Sequence, residues 1–270
     1  MENQRKPKWS RDDMARAIRR NEFIPFFQPK IDLVTGTASC VEILARWIHP
    51  DLGILPPGQF MSLIEQAGLI DEFTDSVFRQ SLLSARNNKL MDGVGMAMNF
   101  SSATLQHPRF ASRICSVVDE HGIPFDRITI EVTETSFPEN FSSVLASLSI
   151  LRDRGFRISI DDFGTGYSSL KLLSKLPFTE LKIDRIFIAG IAEDGKLTGI
   201  LETIVQLARK MHLSTVAEGI ETKKQLDFVL SLGCNIGQGF YFSAAMRNID
   251  AAMRNVERRK VRNEALQIAA

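Results

Sequence analysis

Apolar positions along the chain recur at two different spacings. Short apolar runs at 94–99, 128–132, 157–161, 181–184 and 214–217, and a briefer one at 235–238, are bounded by turn residues and predict strands. Between them, apolar residues three and four apart over 108–120, 139–154, 168–176, 196–212 and 221–232 predict helices. Two earlier strand-like runs, 26–31 and 40–45, are joined through Thr35-Gly36, a turn signal. Pro57 suits the first position of a helix that aligns Phe60, Leu63, Ile64 and Ala67, and a longer helix is expected over 71–87. Ser10 is placed to cap a short amphipathic helix carrying Met14, Ala15 and Ile18.

Strands that alternate with helices of this length imply a parallel sheet, and eight of them imply closure. The expected fold is α/β, a modified TIM (β/α)8-type barrel. It carries an antiparallel strand at the start, because the first two strands are joined by a tight turn. The length of 270 residues suits one such barrel, which takes ~250. Residues 1–20 read as an N-terminal tail and short helix, 21–250 as the barrel, and 251–270 as a C-terminal charged helix. That last helix carries Arg254, Arg258, Arg259, Lys260 and Arg262, and reads as a solvated surface or a dimer or partner contact.

Composition narrows the class. The 33 basic and 32 acidic residues leave a net charge of +1, no footprint for a DNA or RNA duplex or an anionic membrane. No apolar run approaches the ~18 residues of a membrane span. The N-terminus is polar with no apolar stretch behind it, so no signal peptide is expected. Cys40, Cys115 and Cys234 are scattered and odd in number, which fits a reducing cytoplasm and no disulfide framework.

In a barrel of this kind functional groups sit on the carboxyl ends of the strands. Asn99 follows Met96-Ala97-Met98, Glu131 follows Ile128-Thr129-Ile130, and Asp161-Asp162 follow Ile158-Ser159-Ile160. Lys182 lies in Leu181-Lys182-Ile183-Asp184, Glu218 follows Thr215-Val216-Ala217, and Gln238 precedes Gly239. From Asn99 the intervals run 32 residues to Glu131, 30 to Asp161, 21 to Lys182, 36 to Glu218 and 20 to Gln238, each about one βα unit. Glu42 lies within its strand, and the sequence leaves its face open. One polar strand end is usually a cap or a loop start. Several carboxylates converging with an amide and a lysine would repel one another unless a cation joined them. All-oxygen ligands select hard ions such as Mg²⁺ or Mn²⁺. The four histidines end no candidate strand and no cysteine pair appears, which argues against zinc. The run Asp161-Asp162-Phe163-Gly164-Thr165-Gly166 reads either as a ligand-approaching loop or as a glycine-rich turn capped by Ser168.

These residues carry a family resemblance. From about Phe23 to Met246 the chain resembles the EAL domain, through eight segments in order. They are Gln28-Pro29, Glu42-Ile43-Leu44-Ala45-Arg46-Trp47, Asn99-Phe100-Ser101, Glu131-Val132-Thr133-Glu134, the 161–170 loop, Leu181-Lys182-Ile183-Asp184, Ala217-Glu218-Gly219-Ile220-Glu221 and Gln238-Gly239-Phe240. The namesake motif has isoleucine at position 43 where the family has alanine. The proline common after the Gln-Gly segment is missing from Phe242-Ser243-Ala244-Ala245-Met246.

The resemblance implies a cytoplasmic phosphodiesterase that opens cyclic di-GMP to linear pGpG with two Mg²⁺ or Mn²⁺ ions. Glu42, Asn99, Glu131 and Asp161 would hold one ion, and Asp161, Asp162 and Glu218 the other. Lys182 and Glu218 stand open as the group assisting proton transfer. Gln28, Leu44, Arg46 and Gln238 would face the substrate, with the Arg46 fork on a phosphate. Glu134 would anchor the loop holding Gly164, Thr165 and Gly166, and Glu221 would support the site. A homodimer through helices near that loop is also implied. The alternative is a catalytically silent cyclic di-GMP receptor or interaction module. Such domains usually lack a ligand, whereas every mapped ligand position is filled here.

Overall fold

The computed structural model describes residues 9–88, 91–133, 137, 141–164, 169–190 and 195–256. The chain divides into two compact units, residues 1–25 with 45–81, and residues 26–44 with 82–270.

The first unit is built on an aromatic cluster. Helix α1 (Arg11–Arg19) is started by a reciprocal capping box between Ser10 and Asp13. The chain continues into β1 (Phe23–Asp32), β2 (Ala38–His49) and β3 (Gly53–Leu55), then α2 (Met61–Gln66) and α3 (Ile70–Arg86). β3 pairs antiparallel with Trp47, Ile48 and His49. Phe23 packs its ring 5.2 Å from Trp47, 5.0 Å from Phe60 and 5.2 Å from Phe73, and Trp9 lies 4.6 Å from Trp47. The indole of Trp47 is otherwise buried, and its N–H donates to Glu22 at 3.0 Å.

The second unit holds the barrel. It adds β4 (Gly95–Asn99), α4 (Ser102–Leu105), α5 (Phe110–His121), β5 (Ile128–Thr133), α6 (Ser142–Asp153), β6 (Arg157–Phe163) and α7 (Ser169–Lys175). It then runs through β7 (Glu180–Ile183), α8 (Arg185–Ala189), α9 (Gly195–Lys210), β8 (Ser214–Ala217), α10 (Lys223–Leu232) and β9 (Ile236–Gly237). The strand order is β1-β9-β8-β7-β6-β5-β4-β2, closed by a β1–β2 pairing. β1 runs antiparallel to β9, whereas β2 and β4 to β9 run parallel to one another. The fold is therefore the expected barrel with one reversed strand.

Along β5 the alternation separates two faces: Ile128, Ile130 and Val132 on one, Thr129 and Glu131 on the other. All five are buried, because the apolar face lies under the helical layer and the polar face fills the barrel. α10 begins where Thr222 and Gln225 cap each other, and ends on Gly233 in the left-handed region at φ 78°.

Several elements differ from the sequence-based expectation. β2 extends to His49, well past Ala45, and β3, α4 and α8 were not expected, being short and without a full period of apolar positions. Residues 249–256 are helical and bury Ile249, Ala252, Met253 and Val256 at three- and four-residue spacing, so this part is docked on one face. The charged positions Arg258, Arg259, Lys260 and Arg262 lie outside the described residues. Among the described residues no helix is long and apolar enough to cross a membrane.

Candidate functional site

The inward faces of the second unit's strands build one polar column. Glu42 on β2, Glu131 on β5 and Asp161 on β6 are buried, and Asn99 closes β4. Lys182 on β7 is 1% exposed and sits among four carboxylates. Its Nζ lies 2.8 Å from Glu218, 3.0 Å from Asp161, 3.2 Å from Glu131 and 3.5 Å from Glu42. The register sets the Glu42 face that the sequence left open: Glu42 stands beside Ala97, and Asn99 beside Glu131. The Asn99 amide accordingly donates to Glu42 at 3.3 Å and to Glu131 at 3.2 Å.

Asp161 and Asp162 reach the same cleft for a local reason. Neighbours on a regular strand face opposite sides. Here the β6–β7 register is irregular between Ile160 and Phe163, and Asp162 adopts a left-handed φ of 54°. Its N–H donates to the Asp161 carboxylate at 2.9 Å. Both carboxylates and that of Glu218 then offer oxygens within 4.8 Å of one another, as do Glu42, Glu131 and Asp161.

The electrostatics show a surplus of negative charge. Burial, with the neighbouring carboxylates, pushes Glu131 up to about 7 against the pull of Lys182 and Lys30. Burial, with Asp161 and Glu42, pushes Glu218 up to about 8 although Lys182 opposes it. Burial and the charge of Asp161 raise Asp162 to about 6, helped by its hydrogen bond with Asp184. Burial would raise Asp161 too, but Lys182 outweighs it and holds the carboxyl low. Burial disfavours the Lys182 ammonium, yet the surrounding carboxylates keep it charged. Five acids thus face Lys182, and Glu131 also pairs from below with Lys30, which it shares with Glu180.

The residue set fits divalent metal. The donors are all oxygen, burial and neighbouring acids push Glu131, Asp162 and Glu218 upward, and the Asn99 Oδ1 is buried without a hydrogen-bond partner. A cation would satisfy all three conditions.

The remaining expected residues are distributed as follows. Gln28, Leu44, Glu221 and Gln238 line the same cleft of about 340 Å³ as the acids. The Gln238 amide donates to Glu42 at 2.6 Å and to Gln28 at 3.1 Å, and Gln28 donates to the Ser243 carbonyl at 3.0 Å. Gly164 adopts φ 94°, and a Cβ there would meet the Phe187 ring at 3.0 Å. Arg46 belongs to the first unit, where it donates to the Ala45 carbonyl at 2.8 Å. Glu134, Thr165 and Gly166 lie outside the described residues. Sequence reasoning missed Lys30, fully buried on β1, and its partner Glu180 at the start of β7. The available signal was that Lys30 shares a strand face with Gln28, two residues earlier.

Residues 11–245 match the family model described as the EAL domain. The chain is 37% identical over 239 residues to the Probable cyclic di-GMP phosphodiesterase PdeG of Escherichia coli, covering 88% of this chain and 47% of the relative. It is 34% identical over 235 residues to the Cyclic di-GMP phosphodiesterase RocR of Pseudomonas aeruginosa, covering 87% and 60%. The chain thus spans about half the length of these curated relatives. Among solved structures, PaMucR Phosphodiesterase in its c-di-GMP complex superposes with a TM-score of 0.81 at 37% identity, covering 87% of this chain and 96% of that one.

Proposed function

Because the chain belongs to the EAL domain family, we propose that it is a metal-dependent phosphodiesterase hydrolysing cyclic di-GMP to linear pGpG. The observation that carries the reading is the pair of carboxylate groups sharing Asp161. Relatives and a solved structure named for that activity and that nucleotide support it.

Glu42, Asn99, Glu131 and Asp161 would hold one Mg²⁺ or Mn²⁺, and Asp161, Asp162 and Glu218 the second. When bound, such ions acidify water and stabilise charge on a phosphodiester undergoing displacement. The rest of the work falls to the chain. Lys182 holds the four carboxylates around one point and presents N–H donors to developing negative charge. Being held charged, it donates rather than accepts, which favours Glu218 as the proton acceptor. Gln238 and Gln28 brace the cleft wall, and the phosphate contact of Arg46 rests on the family resemblance. In this reading residues 21–250 form the catalytic barrel.

Three free, buried cysteines suit a reducing cytoplasm. Leu170 on α7, Ile186 on α8 and Ile200 on α9 are exposed apolar residues on successive helices, which suits the homodimer implied by the family. Sedimentation of a single monomeric species at high concentration, with full activity, would rule the dimer out.

The test is hydrolysis of cyclic di-GMP by the purified chain in Mg²⁺ or Mn²⁺, with an Asp161→Asn control. Conversion to pGpG that disappears in the control is expected. Tight binding of intact nucleotide without conversion would make the protein a receptor.

A further inference from the structure

The barrel interior carries an ion chain that continues below the site. Glu131 divides its two oxygens: Oε2 accepts from Asn99 and Lys182 at the mouth, and Oε1 accepts from Lys30 at 2.5 Å. Lys30 is fully buried and also donates to Glu180 Oε1 at 3.1 Å. Glu180 in turn borders a cavity at the amino ends of the strands, beside Cys40 and Arg157. Barrel interiors of this class are normally filled by branched apolar side chains. A lysine held there between two acids needs a reason beyond packing, since buried ion pairs are often replaceable by apolar residues without loss of stability.

We propose that Lys30 is a positioning residue for the metal site: by holding Oε1 of Glu131 downward, it leaves Oε2 alone to face the cation. Glu180 is the counter-charge that keeps Lys30 in place. Lys30 does not line the cleft, and the expected ligand it holds directly is Glu131, through Oε1. This inference rests on the metal-dependent reading above.

The geometry makes charge and position separable. Lys30→Met alone strands two buried carboxylates and is expected to lower thermal stability. Lys30→Met with Glu180→Gln removes one positive and one negative charge, so the net charge of the column is unchanged. It also removes the partner of Glu131 Oε1.

Isothermal titration calorimetry with Mn²⁺ alone on the 270-residue chain reads the difference, alongside thermal melts. The double variant relieves Glu180 but still leaves Glu131 Oε1 unpaired, so it is expected to melt between Lys30→Met and wild type and to bind Mn²⁺ about ten- to a hundredfold more weakly, the usual effect of losing an outer hydrogen-bond partner of a ligand. Lys30→Gln with Glu180→Gln restores a neutral donor at position 30, and partial recovery of Mn²⁺ affinity is expected. A folded double variant with wild-type Mn²⁺ affinity would overturn the proposal, whatever its melting temperature, and leave Lys30 a packing residue. A wild-type chain that binds no Mn²⁺ would instead remove the metal-dependent reading itself.

Discussion

Gln238 donates its side-chain amide to the Glu42 carboxylate at 2.6 Å although 196 residues separate them in the chain. The contact joins the end of β9 to β2 across reversed β1, because Gln28 on β1 accepts from the same amide. One side chain therefore both spans the place where the barrel closes and orients a residue expected to hold metal.

Truncating it should separate these roles. Gln238→Ala is expected to reduce kcat for cyclic di-GMP about ten- to a hundredfold, as loss of a ligand's outer partner does. The lost buried hydrogen bonds should lower stability by about 1–3 kcal/mol. Steady-state kinetics and thermal melts check both. Unchanged kcat would show that Glu42 keeps its orientation unaided.

The charge surplus at the mouth predicts stabilisation by metal. Chelation should abolish turnover, and Mn²⁺ should restore it and raise the melting temperature. At free ion near 100 times its Kd the gain should be ~2.7 kcal/mol. Glu42→Ala should abolish turnover and much of this gain, since the buried acid supplies oxygens to the first group. Retention of the wild-type rate would contradict its assignment.

Gly239 has no room for a side chain. A Cβ there would lie 2.2 Å from the Ile220 carbonyl oxygen and 2.4 Å from its nitrogen, both backbone atoms. The same stretch is tied by Ile220 N–H to the Gln238 carbonyl at 3.0 Å and Tyr241 N–H to the Ile220 carbonyl at 2.9 Å. Gly239→Ala is expected to destabilise by about 3 kcal/mol or more, as severe overpacking does, and to displace Gln238 from Glu42. Denaturant melts and kinetics together would test it, and a neutral effect would contradict the geometry.

Strong acid should loosen the N-terminal helix. The Ser10 backbone N–H and hydroxyl, with Arg16, hold the Asp13 carboxyl down at about 2, below its ordinary value of ~4. A carboxyl lowered in the folded state stabilises above its unfolded pKa, and that support fades as pH falls from ~4 toward 2. Trp9 packs against Trp47 at a tilt of 58°, so its fluorescence should report the loss in that window, and Asp13→Asn should remove the pH dependence. An identical profile in the variant would place the transition elsewhere.

Much of the site was legible because barrel geometry repeats. Asn99, Glu131, Asp161, Lys182, Glu218 and Gln238 lie at or near the carboxyl ends of successive strands at intervals of about one βα unit, so a closed sheet must bring them together. Alternation and turn residues are local properties, and they were enough to predict a closed eight-stranded barrel with an antiparallel strand at the start, while the residue types at the strand ends pointed to all-oxygen chemistry. Other features depend on contacts between distant strands. The face of Glu42 follows from its register against β4, which the tolerant apolar run 40–45 does not encode. The second aspartate reaches the cleft only through the left-handed backbone at Asp162, where β6 loses register with β7. Lys30 looked like one polar residue in a short strand, and its burial arises because Glu131 and Glu180, 101 and 150 residues away, converge on it. Sequence by itself determined which residues stand at the carboxyl ends of the strands, since period and spacing are written along the chain. Tertiary structure alone decided which oxygens share a lysine, because charges separated by a hundred residues interact only once the sheet has closed.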